Sequence, residues 1–254
     1  GGAGGLRQGS VHGDAAALST AQRVRLLDLV GRSDPWFLAA VRGSSAVGGL
    51  AGEDIAPALS AILLDPAETV HRQTMVLEAL ATGRRVSSLA DVIEAIAVTP
   101  SADHYRRRRA VDAWLHIVGD TPGGRRHLLD AIAAETPETA ADLRVELAAG
   151  LLRAQAIGVE EIRTIIEDYA TTGDQVMGYA RVLGVALADH PLPALFDRPI
   201  AVPSERGVAR SFEIRSLVSR VLGATIEKTA ELDAHRLLSW LFNTGIDDEQ
   251  QVEK

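Results

Sequence analysis

Apolar residues recur along this chain with the period of a helix. Leu89, Val92, Ile93, Ile96 and Ala97 fall at i, i+3, i+4, i+7 and i+8, which puts them on one face. The same template fits Ile55, Leu59, Ile62 and Leu63; Val111, Trp114, Leu115 and Val118; Ile162, Ile165, Ile166 and Tyr169; and Leu217, Val218, Val221 and Leu222. No segment alternates convincingly with period two. The apolar runs sit inside Ala-rich stretches of helical length flanked by Glu and Arg, so the pattern predicts an all-α protein.

Cap residues followed by proline mark helix starts at Asp34-Pro35, Asp65-Pro66, Thr121-Pro122 and Thr136-Pro137. The Asp or Thr side chain accepts from an orphan N–H, and proline lacks the donor that has no partner there. Gly83, Gly119, Gly158 and Gly173 follow periodic stretches and are expected to lead the chain out through a left-handed residue. These signals predict first helices near 53–64, 88–98, 122–134 and 159–170. Second helices follow from about 66, 101, 137 and 174, roughly 35 to 37 residues apart. Short connections favour antiparallel neighbours, and no helix of this size buries its stripe alone, so the pairs should stack.

This gives a Gly-rich flexible lead over 1–17, a helical array over 18–190, a Pro-rich loop over 191–204, a closing helix pair over 205–245 and a polar tail over 246–254. The loop holds Pro191, Pro193, Pro199 and Pro203, yet Leu192, Leu195, Phe196, Ile200 and Val202 make it apolar enough to pack as an ordered segment. In the closing pair Leu237, Leu238 and Leu241 face inward. Trp240 lies off that face as a lid contact or an anchor for a neighbouring domain.

Composition narrows the chemistry. The chain is 46% hydrophobic but only 4% aromatic, which suits thin contacts between small aliphatic side chains. With no cysteine, thiol catalysis, thiolate zinc sites and disulfides drop out. A net charge of -8 opposes general binding to a phosphate backbone, so nucleic acid is an unfavoured partner. The nearest candidate for a membrane span, 176–188, is broken by Arg181 and is too short. The opening GGAGGLRQGS lacks Met, from which we expect a segment of a longer protein, with processing of an initiator Met before Gly1 as the alternative; no basic-then-apolar secretory signal is present, and a cytoplasmic location is expected.

Asp65 to Ala81 (DPAETVHRQTMVLEALA) and Tyr105 to Asp120 (YRRRRAVDAWLHIVGD) resemble HEAT-type repeat helices. Leu77-Glu78-Ala79-Leu80 matches Val111-Asp112-Ala113-Trp114 at a spacing of 34, and Val145-Glu146 continues it by another 34. The period is shorter than the usual HEAT range of about 40–47, and the tetratricopeptide pattern is absent. The resemblance implies a right-handed α-solenoid of antiparallel helix pairs, a HEAT/armadillo-like superhelix. The Arg-rich, Lys-poor composition and the stretch LDAHRLLSWL (232–241) are similar to the helical arrays that follow the NTPase module of bacterial NACHT-type (STAND) signalling proteins. That likeness implies a non-catalytic array that senses a ligand or a protein or peptide partner, joined to other domains of a parent chain. Two alternatives stay open: a freestanding HEAT-like adaptor, and a nucleic-acid-acting enzyme resembling HEAT-fold DNA glycosylases, which needs a continuous basic groove.

No catalytic, cofactor-binding or metal-binding residue emerges, and no cofactor is expected. There is no GxxxxGK[ST] loop, no GxSxG and no HExxH, and the only lysines are Lys228 and Lys254. The seven histidines are scattered, Asp247-Asp248-Glu249 lies in the polar tail, and Glu160-Glu161 suits a helix start. The feature above background is Arg106 to Arg109. With Val111, Trp114, Leu115 and Val118 as the buried stripe, Arg106 and Arg109 point to solvent and Arg108 flanks. Arg107 lies on the apolar edge, where it should pair with a carboxylate of a neighbouring repeat. Arg106, Arg109 and His116 are then candidates for a small basic patch that takes an acidic peptide or a phosphate, with Asp112 pairing to Arg108 or Arg109. The alternative for the same residues is a solvated charged face, whose ion pairs contribute only ~0.2–0.5 kcal/mol each.

Overall fold

The computed structural model describes residues 18–31, 45–133, 135, 137–171, 179–198, 200 and 217. Among them every regular element is helical and none is a strand, so the protein is all-α. In chain order the helices are α1 (Thr20–Gly31), α2 (Ser45–Gly48), α3 (Ala56–Leu64), α4 (Val70–Thr82), α5 (Ala90–Ala97), α6 (His104–Val118), α7 (Pro122–Ile132), α8 (Pro137–Arg153), α9 (Val159–Thr171) and α10 (Tyr179–Asp189). Short 3-10 turns precede α3 (Glu53–Ile55) and α5 (Ser87–Leu89), and another follows α10 (Pro193–Asp197). The Asp34-Pro35 start, the Gly173 stop, Trp240, the polar tail and nearly all of 201–245 lie outside the described residues.

The starts of α4, α6 and α7 carry a side-chain cap, two of them shifted from the predicted position, whereas α3 and α5 open from 3-10 turns without one. Thr121 caps α7 as expected, its Oγ1 accepting from Gly124 N–H at 3.1 Å, and Pro122 opens the helix. Asp65, by contrast, closes α3: its Oδ1 accepts from Ala67 N–H at 2.8 Å and turns the chain. Thr69 then caps α4 by accepting from Arg72 N–H at 3.2 Å, so Pro66 lies in the turn and not in the helix. Asp103 caps α6 in the same way, accepting from Arg106 N–H at 3.0 Å.

The stops are less uniform than glycine spacing predicts. Gly119 leaves α6 at φ 100°, where a side chain would be strained. Gly83 leaves α4 at φ -98°, an ordinary extended conformation, and Gly158 is not left-handed. α8 ends through Gln155 at φ 54°, with Gln155 N–H on Leu152 O and Ala156 N–H on Leu151 O, the two bonds of a Schellman closure.

The chain divides into two compact units, residues 1–119 and 120–254. In the first, α4 packs on α2, α3 and α6, and α6 also packs on α5. In the second, α8 packs on α7, α9 and α10, and α9 meets the 3-10 turn Pro193–Asp197. Within each unit, second helices therefore touch each other as well as their own first helices. That explains why α4 is buried continuously from Gln73 to Leu80, while α5, with neighbours on one side, buries Ile93, Ile96 and Ala97 as a stripe. Val118, expected in the α6 stripe, is 44% exposed because the helix ends there. In the Pro-rich stretch Leu195, Phe196 and Ile200 are buried, packed by the short 3-10 turn that proline permits.

α1 is tied to the Glu53–Ile55 turn by Asp54, which accepts from the Thr20 hydroxyl and from Arg23. The Thr20 hydroxyl and the Arg23 guanidinium hold the Asp54 carboxyl below its ordinary value, against a smaller opposing effect of burial. A closer constraint lies at α2. A Cβ on Gly83 would sit 2.1 Å from Gly48 O and 2.7 Å from Ala79 O, and a Cβ on Gly48 would sit 2.8 Å from Thr82 O. Both clashes are with backbone, so no side-chain rotation relieves them. Gly83→Ala and Gly48→Ala should each destabilise the chain by about 1–3 kcal/mol in urea unfolding. Gly123→Ala in α7, whose Cβ would meet only Thr121 Oγ1 at 3.9 Å, should be neutral or stabilising by up to about 1 kcal/mol. For Asp54 the depressed pKa means that its contribution is full above the unfolded value of about 3.9 and is lost as pH falls through the lower folded value. Amide-exchange protection of α1 should therefore hold from neutral pH to about 4 and decline below it. In Asp54→Asn that protection should be weak at neutral pH already.

Candidate functional site

α6 carries the arginine run, and its four guanidinium groups do different work. Arg107 is 1% exposed, on the apolar edge where its register places it. Its Nε donates to the carbonyl oxygen of Ala97, at the end of α5, at 3.0 Å. The acceptor at Nε is thus a main-chain oxygen where a carboxylate was expected. The last carbonyls of a helix have no intrahelical partner, and one pointing into the core needs a donor.

Arg106 and Arg109 do not stand in solvent, contrary to the helical-wheel expectation. Arg106 is half-buried, and its terminal nitrogen donates to Leu63 O near the end of α3 at 2.8 Å. Arg109 reaches α4, with Nε 3.0 Å from Glu78 Oε2. The N–H does not aim at that oxygen, so the contact is ionic and not a hydrogen bond. The other nitrogens of Arg109 donate to Asp112 Oδ2 at 3.1 Å and to the Tyr105 hydroxyl at 3.3 Å, and its guanidinium carbon lies 5.4 Å from the Tyr105 ring centre. Of the two pairings open to Asp112, Arg109 is thus one the structure makes. Burial pushes the Asp112 carboxyl above its ordinary value, with Arg109 and Arg108 pulling the other way. The wheel fails because it knows one helix only. α4 and α5 pack on α6 and convert its outward flanks into seams.

His116, the third member of the expected patch, is half-buried, and its Nε2 hydrogen-bonds Gly83 O at the end of α4 at 2.8 Å. Carbonyl oxygen only accepts, so this nitrogen carries the proton. The structure therefore brings Arg106, Arg107 and His116 to the ends of α3, α5 and α4 and Arg109 to Glu78 within α4, all as fasteners of α6. It does not assemble them into a free basic patch. Trp240 lies outside the described residues.

Three residues that perform the same task were missed in the sequence. Gln73 is 4% exposed, and its Nε2 lies 3.2 Å from Ile62 O, 3.4 Å from Leu63 O and 2.9 Å from Asp65 O, closing the end of α3. Gln73 stands 34 residues before Arg107, the spacing already seen between the Leu77 and Val111 motifs, so that spacing was the signal that could have found it. In the second unit Arg163, 1% exposed, donates to Arg198 O at 2.6 Å, Leu195 O at 2.7 Å and Ala194 O at 3.3 Å. It borders the Ile162 and Ile166 stripe as Arg107 borders its own. Arg126 donates to Ala156 O at 2.9 Å and pairs with Glu161, while Arg198 pairs with Glu160. Those two acids therefore do more than complement a helix dipole.

Among the described residues, no group of three or more His, Asp or Glu side chains is placed to hold a metal ion. No described helix is long and apolar enough to cross a membrane. No family model matches the chain, and neither a curated protein nor a solved structure matches it.

Replacing Gln73 with Leu or Arg107 with Met leaves buried carbonyls without a donor and should cost about 1–3 kcal/mol in urea unfolding. Arg106→Ala and Arg109→Ala should also lower the unfolding midpoint. Unchanged midpoints for those two would return them to a solvated charged face.

Proposed function

We propose that this chain is a non-catalytic helical-repeat scaffold that binds a protein or peptide partner. It is built as a HEAT-like right-handed α-solenoid and forms the sensing part of a larger NTP-dependent signalling protein in the cytoplasm. The observation that carries the reading is the equivalence of Gln73 and Arg107. Two buried donors, 34 residues apart, sit at matching places on second helices and close the end of the preceding first helix. Shared interior chemistry at a fixed spacing is what repeats of one unit produce, and stacked repeats display extended surfaces suited to macromolecular partners.

Surface chemistry supports a protein partner over a nucleic acid. Arg106, Arg107, Arg109 and His116 are bound to internal acceptors, so the basic groove that a glycosylase-like enzyme needs draws nothing from them. Apolar side chains, meanwhile, stand exposed: Leu29 at 54% on α1, and Leu64 at 62% and Val70 at 42% beside the α3–α4 turn. The nucleotide-driven switch of the parent belongs to another part of it in this reading. Sequencing the coding frame ahead of Gly1 tests this: a GxxxxGK[ST] loop in frame is expected. An in-frame stop codon there removes the parent-chain part and leaves the freestanding adaptor.

A further inference from the structure

The segment joining α4 to α5 carries chemistry that the scaffold reading does not use. It runs Gly83-Arg84-Arg85-Val86 before the Ser87–Leu89 turn, and the chain is extended at Gly83 with φ -98° and ψ -152°. Arg84, Arg85, Ser87 and Ser88 are exposed, whereas Val86 between them is fully buried and pins the segment to the core. Neither Arg84 nor Arg85 has an ion-pair or hydrogen-bond partner among the described residues, in contrast to Arg106, Arg107 and Arg109. The two serines also differ. The Ser88 hydroxyl donates to Glu53 Oε2 at 2.6 Å and its N–H to Glu53 Oε1 at 3.3 Å; the Ser87 N–H also faces the Glu53 carboxylate, but the Ser87 hydroxyl has no side-chain or main-chain partner among the described residues.

We infer that Ser87 is a phosphorylation site for a serine/threonine kinase that reads basic residues two and three positions before its target. Arg84 and Arg85 are the recognition elements. Two guanidinium groups without a partner among the described residues, on one exposed irregular segment, suit the acidic pockets of such an enzyme, since charge-assisted pairs with carboxylates are strong and geometrically specific. Presenting Ser87 in extended form opens a single 3-10 turn, closed by the Leu89 N–H to Val86 O bond, and lifts Val86 from the core. In the transfer, Ser87 Oγ bonds to the γ-phosphorus of a nucleoside triphosphate and the bond from that phosphorus to the β,γ-bridging oxygen breaks. The nucleoside diphosphate leaves, and the hydroxyl proton passes to a carboxylate of the kinase.

The product places about -1.5 to -2 charges beside the Glu53 carboxylate, which bridges the turn before α3 to the turn before α5 through Ser88. Repulsion displaces Glu53, and Arg84 and Arg85 take up the phosphate, so the mark loosens the seam between two neighbouring helix pairs.

The test uses the full chain, ATP and a purified basophilic serine/threonine kinase, read by intact mass and peptide mapping. One phosphate at Ser87 is expected, lost in Ser87→Ala and kept in Ser88→Ala. The initial rate should fall at least tenfold in the Arg84→Gln/Arg85→Gln double variant, whose circular dichroism should match the parent. Amide exchange at 53–55 and 87–89 should quicken on phosphorylation. The inference is overturned if the folded chain takes up no phosphate, if the phosphate maps to Ser88 or another hydroxyl, or if the double variant reacts at the parent rate. Unchanged exchange at both turns overturns the loosening.

Discussion

Short helices end often, and each end turns carbonyl groups toward whatever lies beyond it. In this protein that accounting problem organises the packing. α3, α5 and α4 finish against α6 or their own second helix, and Gln73, Arg106, Arg107 and His116 supply the donors. A buried carbonyl without a donor costs about 1–3 kcal/mol, comparable to burying an aliphatic side chain, so these bonds decide where a helix stops and which neighbour it meets. The second unit uses the same device through Arg126 and Arg163.

Committing cations to this task changes what the surface can do. An acidic chain with an arginine run looks like one with a basic spot set aside for anions. Once Arg106 and Arg109 reach Leu63 O and Glu78, that spot becomes a seam between helices. Charge left for encounters with other molecules lies where no helix end claims it, as at Arg84 and Arg85 in the α4–α5 segment. The division between structural and available arginines follows from register against neighbours, not from local composition.

Much of the fold was legible in the residues. In the predicted stripe Leu89, Ile93, Ile96 and Ala97 are buried and Val92 is half-buried, and the Thr121-Pro122 start and the Gly119 exit hold in the structure, because each depends on a few adjacent residues. The Asp65-Pro66 start failed since Asp65 and Thr69 are both good caps and only the packed turn chose between them. The candidate site was harder to read. An isolated helix wheel cannot tell a solvated flank from a seam, and Glu78, the ionic partner of Arg109, lies on another helix.

By itself, then, the sequence determined the helical class, the Thr121-Pro122 start and the place of Arg107 on the apolar edge of its helix, since periodicity and capping are local properties of the chain. Tertiary structure alone decided which acceptor each arginine meets and which helix each second helix lies against. It also set α2 against the end of α4, where Gly48 and Gly83 leave no room for a Cβ. Those outcomes join atoms from 10 residues apart, as Arg107 and Ala97, to 43 apart, as Arg106 and Leu63, and no local pattern encodes the direction from which a neighbour will arrive.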